Sequence, residues 1–316
     1  MATMSAPDQI LKAAAPDFAK DLDLTDDELL YLLDLAARIK ASPARYGRAL
    51  EGRSIAMLFE KPSLRTKLTF ELAMKQMGGG SVLVEGPIGV REPLKDVARN
   101  LDRWTNGIVA RVFLQTTVED LAQWSRVPVI NALSDLYHPC QALADMQTIR
   151  ERFDVSRLEG MKLAFIGDGN NVAQSLMLTS LRLGMDFALA CPEGYLPNPD
   201  IVTQAEGLAA VTGATLLVTH DTAAASAGAH AVYTDVWTSM GQEQEMVKRK
   251  RAFRDYQVND RLFQQARPDA IFMHCLPAKR DEEVTDSVME HPRSAIFDQA
   301  ENRLHAQKAL LLMMLT

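Results

Sequence analysis

Short apolar runs of strand length alternate with segments of helical periodicity along nearly the whole chain, and no other feature constrains the fold as much. "SIAMLF" leads into "SLRTKLTFELAMKQMGG", "SVLVE" into "PLKDVARNLDRWT", "GIVARVF" into "TVEDLAQWS", and "PVINA" into "HPCQALADMQTIRERF". Parallel strands need a crossover between them, usually a helix, so such alternation points to a parallel sheet covered by helices. The series pauses at "ERFDVSRLEG", residues 151–160, and then restarts with "MKLAFIGDG", "MDFALACP", "ATLLVTHD", "AHAVYTDVW" and "DAIFMHCLP". The expected fold class is α/β, with two doubly wound parallel-sheet domains, residues 1–150 and 151–298, and the active site in the cleft between them. Before the first strand, "DDELLYLLDLAARIKASP" has the acidic opening and proline stop of an amphipathic helix.

At 316 residues the chain is long enough for two cores, and its 47% hydrophobic and 24% charged residues are those of a globular protein. A formal net charge of −7 argues against nucleic-acid binding through a broad basic face, so any anion must be held by locally gathered cations. Three cysteines (Cys140, Cys191, Cys275) lie far apart with no CxxC pair, which suggests neither a disulfide framework nor a zinc knuckle. A reducing cytoplasm is the expected compartment. Neither a secretory leader in "MATMSAPDQILKAAAPDF" nor a membrane span is expected.

Ligands of open parallel sheets bind beyond the carboxyl ends of the strands, so motifs there carry most weight. The first, "FEKPSLRTKLTFE", gathers Lys61, Arg65 and Lys67 with Ser63 and Thr66 where a strand becomes a helix. A helix N-terminus with added cations suits an anion; the alternative is a capped helix with solvated charges. Arg111 is a lone cation in the apolar run "GIVARVF", and a buried arginine must meet either an acid or an anionic ligand. His138 and Gln141 in "HPCQ" stand one helical turn apart, able to reach one small ligand. In the second series, "IGDGNN" resembles a nucleotide-binding turn, yet lacks the full G-x-G-x-x-G and the acidic residue that should end the next strand. "DVWTSMG" and "HCLP" complete the strand-end set, with Asp235, Ser239 and Cys275. The run "KRKR", residues 248–251, reads as a solvated helix face. No His/Asp/Glu cluster stands at metal-ligand spacing, so neither a metal nor another cofactor is expected.

In their order, these motifs resemble those of the ornithine carbamoyltransferases, within the aspartate/ornithine carbamoyltransferase family, from about residue 24 to 316. "FEKPSLRTKLTFE" is similar to the family's Ser-Thr-Arg-Thr-Arg phosphate loop, "HPCQ" to its His-Pro-x-Gln, and "DVWTSMG" to its Asp-x-x-x-Ser-Met-Gly, while "HCLP" and "ENR" (Glu301–Arg303) stand in their expected places. Two departures are Leu64, where the family usually has Thr, and Lys67, where it usually has Arg. Lysine keeps the charge and loses the bidentate fork.

The resemblance implies transfer of the carbamoyl group of carbamoyl phosphate to the δ-amine of L-ornithine, giving L-citrulline and phosphate, in arginine biosynthesis or, in reverse, arginine breakdown. It implies that Ser63, Leu64, Arg65, Thr66, Arg111, His138, Gln141, Cys275, Leu276 and Arg303 bind carbamoyl phosphate. Asn171, Asp235, Ser239 and Met240 would hold ornithine, and Arg111, His138, Cys275 and Asp235 would serve catalysis. The first domain would bind carbamoyl phosphate, with the C-terminal helix (about 299–316) packing back on it; the second would bind ornithine. Carbamoyl phosphate would bind first, and "TSMGQEQE" would move as a lid. A homotrimer or a multiple of trimers is implied, with residues of "GPIGVREPLKD" reaching a neighbouring subunit's site. Rivals are a nicotinamide oxidoreductase, a non-catalytic binding relative, and a transcarbamylase acting on putrescine or an N-acylated ornithine.

Overall fold

Helix α1 (Asp26–Ala41) opens on a reciprocal cap that the sequence spells out: Thr25 Oγ1 accepts the Glu28 N–H at 3.2 Å, and Glu28 Oε2 accepts the Thr25 N–H at 2.7 Å. Its apolar stripe, Leu29, Leu32, Leu33 and Ala36, is buried. A computed structural model describes residues 9–239 and 243–316. The chain divides into two compact units, one comprising the residues up to 147 together with 301–316, the other residues 148–300.

In the first unit, β1 (Ser54–Phe59), α2 (Leu64–Gln76), β2 (Gly80–Glu85), α3 (Leu94–Trp104), β3 (Gly107–Arg111), α4 (Gln115–Trp124) and β4 (Val129–Leu133) follow in order, and α5 (Pro139–Phe153) begins there. The strands form one parallel sheet in the order β2-β1-β3-β4. Strands β1, β3 and β4 are buried almost throughout, as near-continuous apolar runs should be. Pairing of Phe59 with both Glu85 and Arg111 brings the carboxyl ends of β1, β2 and β3 level. Between β3 and β4 the register slips, Ala110 opposing Asn131 and Arg111 opposing Leu133. Such an irregularity turns a side chain out of the regular pleat, and it falls at Arg111.

Helix α2 departs from its simplest sequence pattern. Its buried face is Thr66, Phe70, Ala73 and Met74, while Leu64, Leu68 and Leu72, four residues apart, form an exposed stripe. Val82 and Val84 of the edge strand β2 are exposed as well.

The second unit contains β5 (Lys162–Ile166), α6 (Asn171–Arg182), β6 (Asp186–Ala190), α7 (Pro199–Thr212), β7 (Leu216–Thr219), α8 (Thr222–Ser226), β8 (Ala231–Thr234), α9 (Met246–Phe253), α10 (Asp260–Phe263), β9 (Ile271–His274) and α11 (Asp286–Met289). Its sheet is again parallel, ordered β7-β6-β5-β8-β9. The order reverses at β5, so the turns after β5 and β8 diverge to leave a crevice of the kind that holds ligands in open sheets. Ala164, Ile166, Val232 and Phe272 of the strands pack with Trp237, Phe253 and Phe263 in its core. The last helix, α12 (Ile296–Leu315), is continuous: it starts in the second unit and runs through residues 301–315 of the first.

Candidate active site

The first unit assembles its polar residues from four elements, α2, β3, α5 and α12. Ser63 is the N-cap of α2, with Oγ accepting the Thr66 N–H at 3.2 Å. Thr66 is buried, and two guanidinium groups converge on its hydroxyl: Arg111 Nη1 at 3.4 Å and Arg303 Nη2 at 3.2 Å. Arg303 Nη1 also donates to Gln141 Oε1 at 2.6 Å, and Gln141 Nε2 donates to Asp145 Oδ1 at 2.7 Å. The sequence distances spanned, 237 residues from Thr66 to Arg303 and 162 from Gln141 to Arg303, are closed by α12. His138 is buried at the start of α5. Burial and the positive charges of Arg303 and Arg111 hold its imidazole well below its ordinary pKa, so it is neutral at pH 7.

The turn that presents His138 rests on a buried amide network. Asn131 Nδ2 donates to Ala19 O at 2.9 Å and to Gln115 Oε1 at 3.0 Å, and Ser134 Oγ donates to Gln115 Oε1 at 2.6 Å. The Tyr137 N–H in turn donates to Ser134 Oγ at 3.2 Å. Glu60, just past β1, accepts the Ile88 N–H at 3.1 Å and the Phe113 N–H at 2.9 Å, tying the loops after β2 and β3 to the end of β1. Burial and the nearby Arg111 lower the pKa of Lys61, whose Nζ lies 4.7 Å from the centre of the Phe113 ring.

The departures Leu64 and Lys67 now have positions. The Leu64 side chain is 70% exposed at the first position of α2. Lys67 Nζ lies 3.3 Å from Glu85 Oε1, joining α2 to β2. Arg65 is half-buried in the first turn of the helix.

In the second unit the focus is Asp235, immediately after β8 and buried. Its Oδ2 accepts from Asn170 Nδ2 at 2.9 Å; its Oδ1 accepts the Val236 N–H at 2.8 Å and faces the half-buried Cys275 thiol at 3.1 Å. Asn170 also caps α6, its Oδ1 accepting the Val172 and Ala173 N–H groups at 3.0 and 3.1 Å. Its neighbour Asn171, the residue chosen from the sequence, is the first of the helix, and its Oδ1 accepts the Val172 N–H at 3.0 Å. Ser239 is half-buried; Met240 and the centre of "TSMGQEQE" lie outside the described residues.

The glycines of "IGDGNN" serve chain packing. Gly167 has φ +144°, and a Cβ on Gly169 would stand 2.3 Å from Pro197 N, so only glycine lets this loop approach that backbone. The "HCLP" turn is held from behind. His274 Nδ1 accepts the Leu276 N–H at 2.8 Å, its Nε2 faces Glu283 Oε1 at 3.3 Å, and its backbone N–H donates to Gln299 Oε1 at 2.9 Å. Leu276 itself has φ +59°, a conformation a leucine adopts only where its surroundings enforce it.

Asp235, His274 and Cys275 bring an oxygen, a ring nitrogen and a sulfur within 4.8 Å of one another, a grouping with no signature in sequence spacing. Both His274 nitrogens already meet hydrogen-bonding groups, so the imidazole is poorly placed to ligate a cation. Glu60, Asp145, Asp168, Glu283 and Gln299 have no role in the sequence reading, and of the two adjacent asparagines it names Asn171 rather than Asn170. For Asn170 the cap position before a helix was the available signal; the others have none short of tertiary contacts.

Residues 17–151 match the carbamoyl-P binding domain, and residues 159–314 the Asp/Orn binding domain, of the aspartate/ornithine carbamoyltransferases. The chain belongs to that family of enzymes. Within it, the similarity runs to the ornithine carbamoyltransferases. That of Parafrankia sp. (strain EAN1pec) is 50% identical over 305 residues, 94% of this chain and 95% of its own. That of Thermus thermophilus is 50% identical over 291 residues, 91% and 93% of the two chains. Among solved structures, the ornithine carbamoyltransferase from Pyrococcus furiosus superimposes with a TM-score of 0.93 at 45% identity, covering 96% of this chain and 99% of that one.

Proposed function

We propose that the chain transfers the carbamoyl group of carbamoyl phosphate to the δ-amine of L-ornithine, forming L-citrulline and phosphate. The observation that carries this is the convergence of Arg111 and Arg303 on Thr66 at the N-terminus of α2, beside a neutral His138. Carbamoyl phosphate is a dianion with one reactive carbonyl. The positive end of the helix dipole, the Ser63–Thr66 turn and Arg65 hold the phosphate. Arg111, Arg303, Gln141, Thr66 and His138 surround the carbamoyl group. A neutral imidazole can donate one hydrogen bond to the carbonyl oxygen without adding charge. Preorganised donors of this kind stabilise the oxyanion formed on attack by about 3 kcal/mol each.

In the second unit, Asp235 offers a carboxylate to the α-ammonium of ornithine, with Asn170, Asn171 and Ser239 around the amino-acid end. Cys275 and the Leu276 carbonyl face the δ-amine. That amine must be unprotonated to attack. Its lone pair forms the new C–N bond, the C–O bond to phosphate breaks, and the amine's surplus proton ends on phosphate, directly or by way of Cys275 and Asp235. Holding both substrates in place supplies much of the acceleration.

The direction proposed is biosynthetic, toward citrulline for arginine formation. The exposed stripe Leu64, Leu68 and Leu72 beside Val82 and Val84 supports self-association, and a homotrimer is the assembly proposed. A cytoplasmic location is proposed. No described helix is long and apolar enough to cross a membrane. The test is citrulline formation from carbamoyl phosphate with ornithine, run beside putrescine, aspartate and N-acetylornithine. Turnover with ornithine alone is expected. Turnover with another amine refutes the acceptor assignment, and no product with any of them refutes the activity.

A further inference from the structure

The run "KRKR" does not lie wholly in solvent. Three of its cations follow the sequence expectation, but Arg249 is only 6% exposed. Its guanidinium lies 4.9 Å from the centre of the Tyr195 ring and 5.9 Å from that of Phe253. Arg249 and Phe253 are four residues apart on α9, so one face of that helix carries both inward.

Two bonds from Arg249 Nη1 reach the two loops that flank Asp235. One, at 2.6 Å, goes to Asp168 Oδ2 in the turn after β5; the other, at 3.0 Å, goes to the carbonyl of Trp237 after β8. Asp168 stands two residues before Asn170, whose side chain holds Asp235. Trp237 stands midway between Asp235 and Ser239. A third bond, Arg249 Nε to Glu245 Oε2 at 3.2 Å, is to an exposed carboxylate on the same helical face and adds little.

We propose that Arg249 is a positioning residue for the acceptor amino acid, acting through Asp168 and the Trp237 carbonyl to hold the Asn170 and Asp235–Ser239 loops in register. It does not touch the reacting atoms. The inference rests on the proposed ornithine carbamoyltransferase activity. Burial raises the pKa of Asp168 while Arg249 lowers it and Asp235 raises it further, so the guanidinium also keeps two neighbouring carboxylates compatible. A lysine in its place keeps the charge and a nitrogen with more than one N–H donor, but it is shorter and lacks the planar guanidinium that lies against the Tyr195 ring.

The test compares Arg249→Met, Arg249→Lys and Asp168→Asn with wild type, and Lys248→Gln as a control. It measures kcat and KM for ornithine, binding of carbamoyl phosphate alone by calorimetry, and thermal unfolding. For Arg249→Met the expected result is a fall in kcat/KM for ornithine on the order of 100-fold, the scale of an ångström of misplacement. Carbamoyl phosphate binding should stay within about twofold of wild type, and Arg249→Lys should recover part of the loss. Lys248→Gln, at an exposed cation of the same run, should leave every parameter near wild type. An unchanged kcat/KM for ornithine, or an equal loss in carbamoyl phosphate binding, overturns the proposal. If Arg249→Met does not fold, Arg249→Lys and Asp168→Asn are judged by the same split. Wild-type turnover with ornithine is established first, so a null result in the variants counts against the positioning role alone.

Discussion

Asn170 does two jobs with one amide, and they can be separated. Its Oδ1 accepts two backbone N–H groups at the start of α6, and its Nδ2 donates to Asp235. The orientation is not arbitrary, since an ionised carboxylate only accepts and a backbone N–H only donates. Serine is as good an N-cap as asparagine, but its one short hydroxyl, placed at the cap, does not also reach Asp235. Asn170→Ser therefore removes one hydrogen bond to a charged acceptor, worth about 1.5–3 kcal/mol, and keeps the cap. Expressed on ornithine, this is a fall in kcat/KM of about tenfold or more, at 1.4 kcal/mol per tenfold. The same loss should lower its melting temperature by several degrees, at about 2–4 °C per kcal/mol. Asn170→Ala loses the cap too, about 1 kcal/mol, so its melting temperature should drop a further 2–4 °C or so. Asn170→Asp keeps the cap and sets a second carboxylate against Asp235, so its ornithine kcat/KM should be worse than that of Asn170→Ser. Steady-state kinetics and scanning calorimetry on the four proteins decide the matter. An Asn170→Ser enzyme within twofold of wild type, or an Asn170→Asp enzyme better than Asn170→Ser, would refute the assignment.

Because the folded-state pKa of His138 lies below the ordinary imidazole value, the unfolded chain binds a proton that the folded one refuses. Stability from this group is complete above about pH 6.5 and falls as pH drops below it; in His138→Gln, unfolding followed from pH 5 to 8 should show a shallower decline. Placing a charge in the exposed stripe, as in a Leu68→Glu, Val82→Glu double variant, should give a smaller species by light scattering while leaving the core of the unit intact. Gly169→Ala forces a Cβ against the Pro197 backbone and should both destabilise the protein and impair ornithine turnover. Gly207→Ala, mid-helix in α7 with no atom within 4 Å, should stabilise by about 0.5–1 kcal/mol and leave kinetics alone.

Much of this was legible along the chain because the physics that sets it is local. Strands β1, β3, β4 and β5 are apolar runs that cannot face water, and their helices carry a 3.6-residue pattern, so two parallel-sheet units could be read before any contact was known. The Ser63 cap, the acidic opening of α1 and the placement of Asp235 and Cys275 just past strand ends were readable for the same reason.

Relations between distant residues were not. Which strands neighbour β1 and β5 depends on how crossovers pack, and no residue records it locally. Arg111 alone left open an acid or a ligand; α12 decided its company by bringing Arg303 to the same threonine hydroxyl. Two adjacent asparagines look alike in sequence, and only the cap geometry gave Asn170 the bond to Asp235. Four cations in a row looked equally solvated, although the spacing of Arg249 to Phe253 was a signal that one of them faced inward. Its burial was fixed by Tyr195, Phe253 and Asp168 closing around it. Backbone periodicity is written residue by residue, whereas the charge, burial and hydrogen bonding of a side chain belong to whatever the completed fold places beside it.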